Sequence, residues 1–218
     1  MTRPRLKPSA RPYPALTRSL RRLHRYAGVA AGAVLLYLLT TGLPLQFDSL
    51  NLGDRYVSAS FILDAYNLDA PERVSFDAGV AQVGDRLYWQ QQQIAQAGSF
   101  LGALSYQDLI VVGTPEALYL FPPGDPDQIE RIDQRIRLSG IGLLDSQLVL
   151  NAGGDIQVMD AALLNASPLT DPAQAIQWQS PELISGTAAE PYRQIYRLRL
   201  LSVQRLLQDL HSGRALVQ

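Results

Sequence analysis

Polar and apolar positions divide this chain into three stretches of different period. Residues 1–25 are basic and irregular, and from Tyr26 to Phe47 no charged residue occurs. Within that run, Ala27 to Leu45 would extend about 28 Å as a helix at about 1.5 Å per residue, which matches a hydrocarbon core of about 30 Å. The pattern predicts one membrane span. A cleaved signal would have a shorter apolar region and a small-x-small site, and the exit Gly42-Leu-Pro-Leu-Gln-Phe-Asp48 offers no such site. The segment therefore reads as an uncleaved anchor, with Pro44 ending or kinking its helix and Thr40 and Thr41 bonding back to helix carbonyls.

Beyond the anchor, short apolar runs alternate with polar turns. "DRYVSASFILDAYNL" (54–68) reads as a short helix or a strand. "VGDRLYWQ" (83–90), "YQDLIVVGTPEALYLF" (106–121) and "LDSQLVLNAGGDIQVMD" (144–160) each set a polar pair before a β-type run, and the last two continue through a turn into a returning strand. Leu87, Leu109 and Leu148 mark a loose repeat whose uneven spacing speaks against a complete propeller. A meandering antiparallel sheet, curved or sandwich-like, is expected. "PPGDPDQ" (122–128) reads as a surface turn without the spacing of a calcium loop. From about Glu190 the period turns helical: Tyr192, Tyr196, Leu200, Val203, Leu207 and Leu210 share one face, and Gly213 is placed to cap the end. This amphipathic helix either packs on the sheet or lies on the membrane surface with Arg193, Arg197 and Arg199 near lipid phosphates.

The fold expected is a membrane-anchored α+β protein: one N-terminal transmembrane helix, a mainly antiparallel β periplasmic domain and a C-terminal amphipathic helix. Its segments are a basic cytoplasmic tail (1–25), the transmembrane helix (26–47), a β-rich periplasmic domain (48–189), and the amphipathic helix with its tail (190–218).

Charge orients the anchor. The first 25 residues hold eight of the 19 basic residues and no Asp or Glu, although the whole chain has a net charge of -1. Arg3, Arg5, Lys7, Arg11, Arg18, Arg21, Arg22 and Arg25 all precede the span, so the positive-inside rule puts the N-terminus in the cytoplasm and the body across the membrane. Arg18, Arg21, Arg22 and Arg25 are the expected membrane-surface residues. A basic run abutting an apolar span explains itself without nucleic acid, which is not an expected partner. The Arg bias among basic residues reflects a GC-rich bacterial genome, and the location expected is the inner membrane. Gly28, Gly32 and Gly42, with nearby alanines, give the helix small residues suited to packing against a membrane partner or a second copy.

Candidate chemistry is sparse. The chain has no cysteine, which excludes disulfides, thiolate metal sites, Fe–S clusters and a Cys nucleophile. It has no Gly-rich phosphate loop, no HExxH and no GxSxG. "ISGTAA" (184–189) lacks the flanking pattern of a flavin attachment site, and "NAS" (165–167) is a formal glycosylation sequon that a bacterial source leaves unused. The two histidines, His24 and His211, are candidates for haem b, because histidine is the usual axial ligand. The predicted topology places them on opposite sides of the bilayer, so one iron would need a ligand from a partner chain. No catalytic residue or metal site is nominated.

Two phrases together resemble the PepSY-associated transmembrane helix family. They are Leu23-His24-Arg25-Tyr26-Ala27-Gly28, continuing to Thr41-Gly42-Leu43-Pro44-Leu45-Gln46-Phe47, and Asp209-Leu210-His211-Ser212-Gly213-Arg214. The resemblance implies a small inner-membrane protein with a periplasmic domain. Some larger relatives are haem-containing reductases of iron and siderophore uptake, and the PepSY module is associated with peptidase inhibition or regulation. In that family the Leu-His-x-Gly-Arg phrase introduces a further membrane helix, whereas this sequence ends at Gln218; either the native protein continues or this branch lacks the second span. The function expected is a non-catalytic accessory protein docking on a membrane partner complex, with a haem-binding electron-transfer subunit of a metal or siderophore reductase as the alternative.

Overall fold

A computed structural model describes residues 14–163, 165–169 and 175–214. Arg3, Arg5, Lys7, Arg11 and the end of the chain at Gln218 lie outside the described residues. The chain divides into two compact units, Met1–Tyr56 with Leu201–Gln218, and Val57–Leu200.

The first unit is helical. Helix α1 spans Pro14–Gly42, so it starts well before the uncharged run and carries the arginines within its first turns. Among the described residues it is the one helix long and apolar enough to cross a membrane. Its α-helical course ends at Gly42, and Pro44 lies in a following 3-10 turn, Leu43–Gln46, because proline cannot donate into a continuing α-helix. Thr40 and Thr41 both donate to the Tyr37 carbonyl at 2.9 Å.

The second unit begins with α2 (Ser60–Ala65), which resolves the ambiguous 54–68 stretch as a short helix preceded by an isolated bridge residue, Tyr56. Three antiparallel sheets follow. The first meanders through β1 (Val74–Asp77), β2 (Val80–Val83), β3 (Arg86–Trp89) and β4 (Gln92–Gln96). The second runs through β5 (Gly102–Tyr106), β6 (Leu109–Gly113), β7 (Ala117–Phe121) and β8 (Glu130–Asp133). The third comprises β9 (Leu138–Leu144), β10 (Gln147–Ala152), β11 (Asp155–Met159) and β12 (Ala166–Pro168). Two late strands extend this plan: β13 (Gln177–Trp178) joins the free side of β9, and β14 (Glu182–Ile184) joins the free side of β1. The expected meander is thus three successive four-strand meanders, stacked face to face.

Strand periodicity explains the stack. On β7, Leu118 and Leu120 enter the core shared with the third sheet, whereas Ala117, Tyr119 and Phe121 enter the core shared with the first. A strand buried on both faces needs apolar residues at every position, and β7 is buried throughout. Tight two-residue turns join the strands. Ala78-Gly79, Gln90-Gln91, Asp145-Ser146 and Gly153-Gly154 all have positive φ at both residues, the conformation whose twist matches the flanking strands.

Helix α3 (Glu190–Arg197) covers the outer face of the first sheet through Tyr192, Ile195 and Tyr196. The single amphipathic helix expected from Glu190 onward is in fact two. The chain breaks after Arg197, and α4 (Val203–Ser212) restarts behind Ser202, whose hydroxyl accepts from the Arg205 amide at 3.2 Å as an N-cap. Ser202 bridges Tyr56, and the Val203 amide donates to the Arg55 carbonyl at 2.8 Å, so extended pairing replaces helical bonding here. The expected cap at Gly213 is present, with φ +77°.

Candidate functional site

The residues singled out by sequence fall mainly on the helical unit. Arg18, Arg21, Arg22, His24 and Arg25 occupy successive exposed positions near the start of α1. Gly28 and Gly32 are also exposed there, and a Cβ built on either meets no atom within 4 Å. Gly42 differs: a Cβ there would lie 2.6 Å from His211 Cε1, so only a glycine admits the imidazole.

Around that contact α4 docks on α1. Tyr37 Oη donates to the Leu210 carbonyl at 2.5 Å, and Thr41 Oγ1 lies 3.1 Å from His211 Nδ1. The Thr41 hydroxyl reaches the Tyr37 carbonyl and the imidazole together, and which of hydroxyl and Nδ1 donates follows the ring tautomer. Cε1 of the same ring faces Gly42. Thr41 is buried, an unusual state for a polar side chain on a membrane-type helix, and its hydroxyl has partners in both the helix backbone and the imidazole. A groove of about 430 Å³ runs beside the imidazole, lined by Leu35, Leu38, Leu39, Leu43, Leu45 and Gln46 with Gly42 and His211. Sequence reading picked out His211 and gave Thr41 a purely helical role. It missed Tyr37, whose only local signal is a hydroxyl within an apolar run.

The fit of the two histidines to haem is decided by length. His24 and Thr41, which contacts His211, are 17 residues apart on α1, about 26 Å along the helix axis. Axial ligands must flank one iron atom, so His24 and His211 of one chain do not fit a single haem.

In the β unit, a cleft of about 320 Å³ opens between α2, α3 and the loop before β1. Its arginines are already committed. Arg193 donates to the Pro71 carbonyl at 3.0 Å and pairs with Glu190 at 3.0 Å, and Arg197 donates to the Leu68 carbonyl at 2.9 Å and pairs with Asp64. These side chains fasten α3 to the loop instead of facing lipid phosphates, which favours the packing role for this part of the helical region. "ISGTAA" supplies the end of β14 and a 3-10 turn into α3, with Ala189 fully buried. The "NAS" stretch enters β12, where Asn165 donates to Asp160 at 2.8 Å. Compared with family models, curated proteins and solved structures, the chain matches none.

Proposed function

We propose that this chain is a membrane-anchored, non-catalytic accessory protein, in which α1 crosses a bacterial inner membrane once and the β unit works on the far side by docking on a membrane partner complex. The observation that carries the reading is the surface of α1. Val29, Val34, Leu35, Leu36 and Leu39 are all more than half exposed and cover about 220° of the helix circumference at about 100° per residue. A helix that is apolar so widely around is suited to lipid, not water. The basic residues flank only its N-terminal side, which supports a cytoplasmic N-terminus. The resemblance to the PepSY-associated transmembrane helix family points to the same location.

An accessory role agrees with how the polar groups are used. Thr41 and His211 join two helices, and Arg193 and Arg197 hold a loop. Gly28 and Gly32 leave a section of α1 where another helix backbone can come close. The test is purification of the tagged full chain in mild detergent after cross-linking in intact cells. A discrete membrane complex is expected, and Gly28→Leu with Gly32→Leu should dissociate it. Recovery of monomer alone, or a complex indifferent to both substitutions, would overturn the reading.

A further inference from the structure

The groove beside His211 offers hydrogen bonds that the docking of α4 leaves unused. Thr41 engages one imidazole nitrogen, Nδ1, and Nε2 has no hydrogen-bond partner among the described residues. The side-chain amide of Gln46, at the end of the 3-10 turn, has none there either. Both side chains line the cavity of about 430 Å³, whose other walls are leucines and Gly42. That volume falls in the range of about 300–1,000 Å³ typical of small-molecule sites. No charged residue lines it. Thr41 and Gly42, which seat the imidazole, fall inside the uncharged run that ends at Phe47. An imidazole with an unmet nitrogen is costly at that level of a membrane helix, which marks it for function. Leu35, Leu38 and Leu39, spaced i, i+3 and i+4, continue the groove along α1 toward the middle of the span.

We propose that this groove binds the head of an isoprenoid quinone, which rests on the reading that α1 spans a membrane. An uncharged lining suits an uncharged head and disfavours the phosphate of a phospholipid, whose charge would go unpaired. A bare acyl chain would cover the leucines but leave Nε2 and the amide without partners. A quinone presents two carbonyl oxygens that accept, and its hydroquinone two hydroxyls that donate. Both polar groups of the lining can follow this reversal. When the Thr41 hydroxyl donates to Nδ1, Nε2 carries the ring proton and donates. When that hydroxyl donates to the Tyr37 carbonyl, 2.9 Å away, Nδ1 holds the proton and Nε2 accepts. The Gln46 amide has a donor and an acceptor of its own. The groove therefore holds either form without exchanging electrons with it, whereas a lipid alcohol, with one hydroxyl, meets one of the two groups. The leucine strip along α1 takes the first units of the apolar tail.

The experiment is photolabelling of the full chain, in phosphatidylcholine nanodiscs, with an azido-substituted decylbenzoquinone, the labelled peptides being mapped by mass spectrometry. Saturable labelling of residues 35–46 and of α4 is expected, displaced by decylbenzoquinone and by its hydroquinone but not by dodecanol. His211→Asn keeps a polar group near the Nδ1 position for Thr41 and removes Nε2. This variant and Gln46→Leu should each weaken binding about two- to tenfold, the loss of one hydrogen bond. Leu39→Trp, which fills the groove and leaves both polar groups in place, should abolish it. A decylnaphthoquinone separates the two ring classes: stronger displacement than by the benzoquinone assigns a naphthoquinone, and weaker displacement a benzoquinone. Absence of saturable labelling, label confined to other segments, equal displacement by dodecanol, wild-type affinity in both polar variants, or wild-type affinity in Leu39→Trp would each overturn the quinone site while leaving the anchor intact. A chain that fails to float with vesicles overturns anchor and site together. Should His211→Asn release α4, seen as faster amide exchange across Val203–Ser212, unchanged affinity in Gln46→Leu and Leu39→Trp overturns the site equally.

Discussion

The imidazole of His211 rests on Gly42, where a Cβ would approach Cε1 to 2.6 Å, and the same ring bonds Thr41 through Nδ1 at 3.1 Å. Backbone and side chain of one helix end thus hold a residue that lies 170 positions later in the sequence. Replacing Gly42 tests this seat, but alanine is a poor probe: its gain in helix propensity, up to about 1 kcal/mol, is as large as the hydrogen bond that a shifted ring would lose, about 0.5–1.5 kcal/mol. Valine adds bulk without the compensating gain, and overpacking costs about 1–3 kcal/mol. Gly42→Val should therefore speed amide exchange across Val203–Ser212 in detergent, while Gly28→Ala leaves it unchanged.

Thr41 and His211 should also be energetically coupled. Thr41→Val leaves Nδ1 without its partner, and His211→Ala leaves the hydroxyl only its own helix carbonyls. A double-mutant cycle on the thermal unfolding of the helical unit is expected to give a coupling of about 0.5–1.5 kcal/mol. Additive effects would mean that the contact contributes nothing to holding α4 on α1.

Much of the β stack was legible because its central strands are buried on both sides. "LIVVG" and "ALYLF" are apolar at nearly every position for that reason, and they are β6 and β7. Strands at the margins escaped notice: β4 is rich in glutamine because its faces are only partly covered and none of its residues is fully buried. The phrase "VGDRLYWQ" also entered the repeat out of phase, since it contains the second and third strands of its meander whereas the other two phrases begin on the first. The break between α3 and α4 was invisible locally, because Leu200 and Val203 keep the helical phase. It is imposed by Arg55 and Tyr56, far away in sequence. Site residues behaved alike: His211 was noticeable as one of two histidines, but its partner Thr41 emerges only when the chain is folded.

The middle sheet should dominate the stability of the β unit. Leu118 is fully buried between the second and third sheets, so Leu118→Ala is expected to cost about 2–5 kcal/mol. Phe61, on α2, is 73% exposed, and Phe61→Ala should stay within about 0.5 kcal/mol of wild type. Chemical denaturation followed by Trp fluorescence separates the two, since Trp89 packs edge-on against Phe121, 5.6 Å between centroids, in the neighbouring core.

Alkaline pH should unfold the β unit through its buried tyrosines. Tyr88 and Tyr192 both have raised pKa values, chiefly from burial. An unfolded tyrosine ionises near pH 10 while these stay protonated in the folded chain, so the unfolded state loses protons first. Stability is fully present below about pH 10 and falls as pH rises from there through the folded values. Denaturation midpoints measured from pH 8 to 11 should show this decline, and Tyr88→Phe or Tyr192→Phe should each flatten it.

The orientation of the anchor can be read chemically because the chain contains no cysteine, so any introduced thiol is a unique reporter. Ser19 lies exposed among the arginines on α1, and Ser105 is exposed on β5. With the N-terminus inside, a membrane-impermeant maleimide applied to cells with a permeabilised outer membrane should label Ser105→Cys at once and Ser19→Cys only after lysis. The basic cluster favours this direction through the positive-inside rule, and no acidic residue precedes the span to oppose it. Labelling in the reverse order would turn the protein around and move the β unit into the cytoplasm. Labelling of both positions without lysis would remove the membrane span itself, and with it the accessory role built on α1.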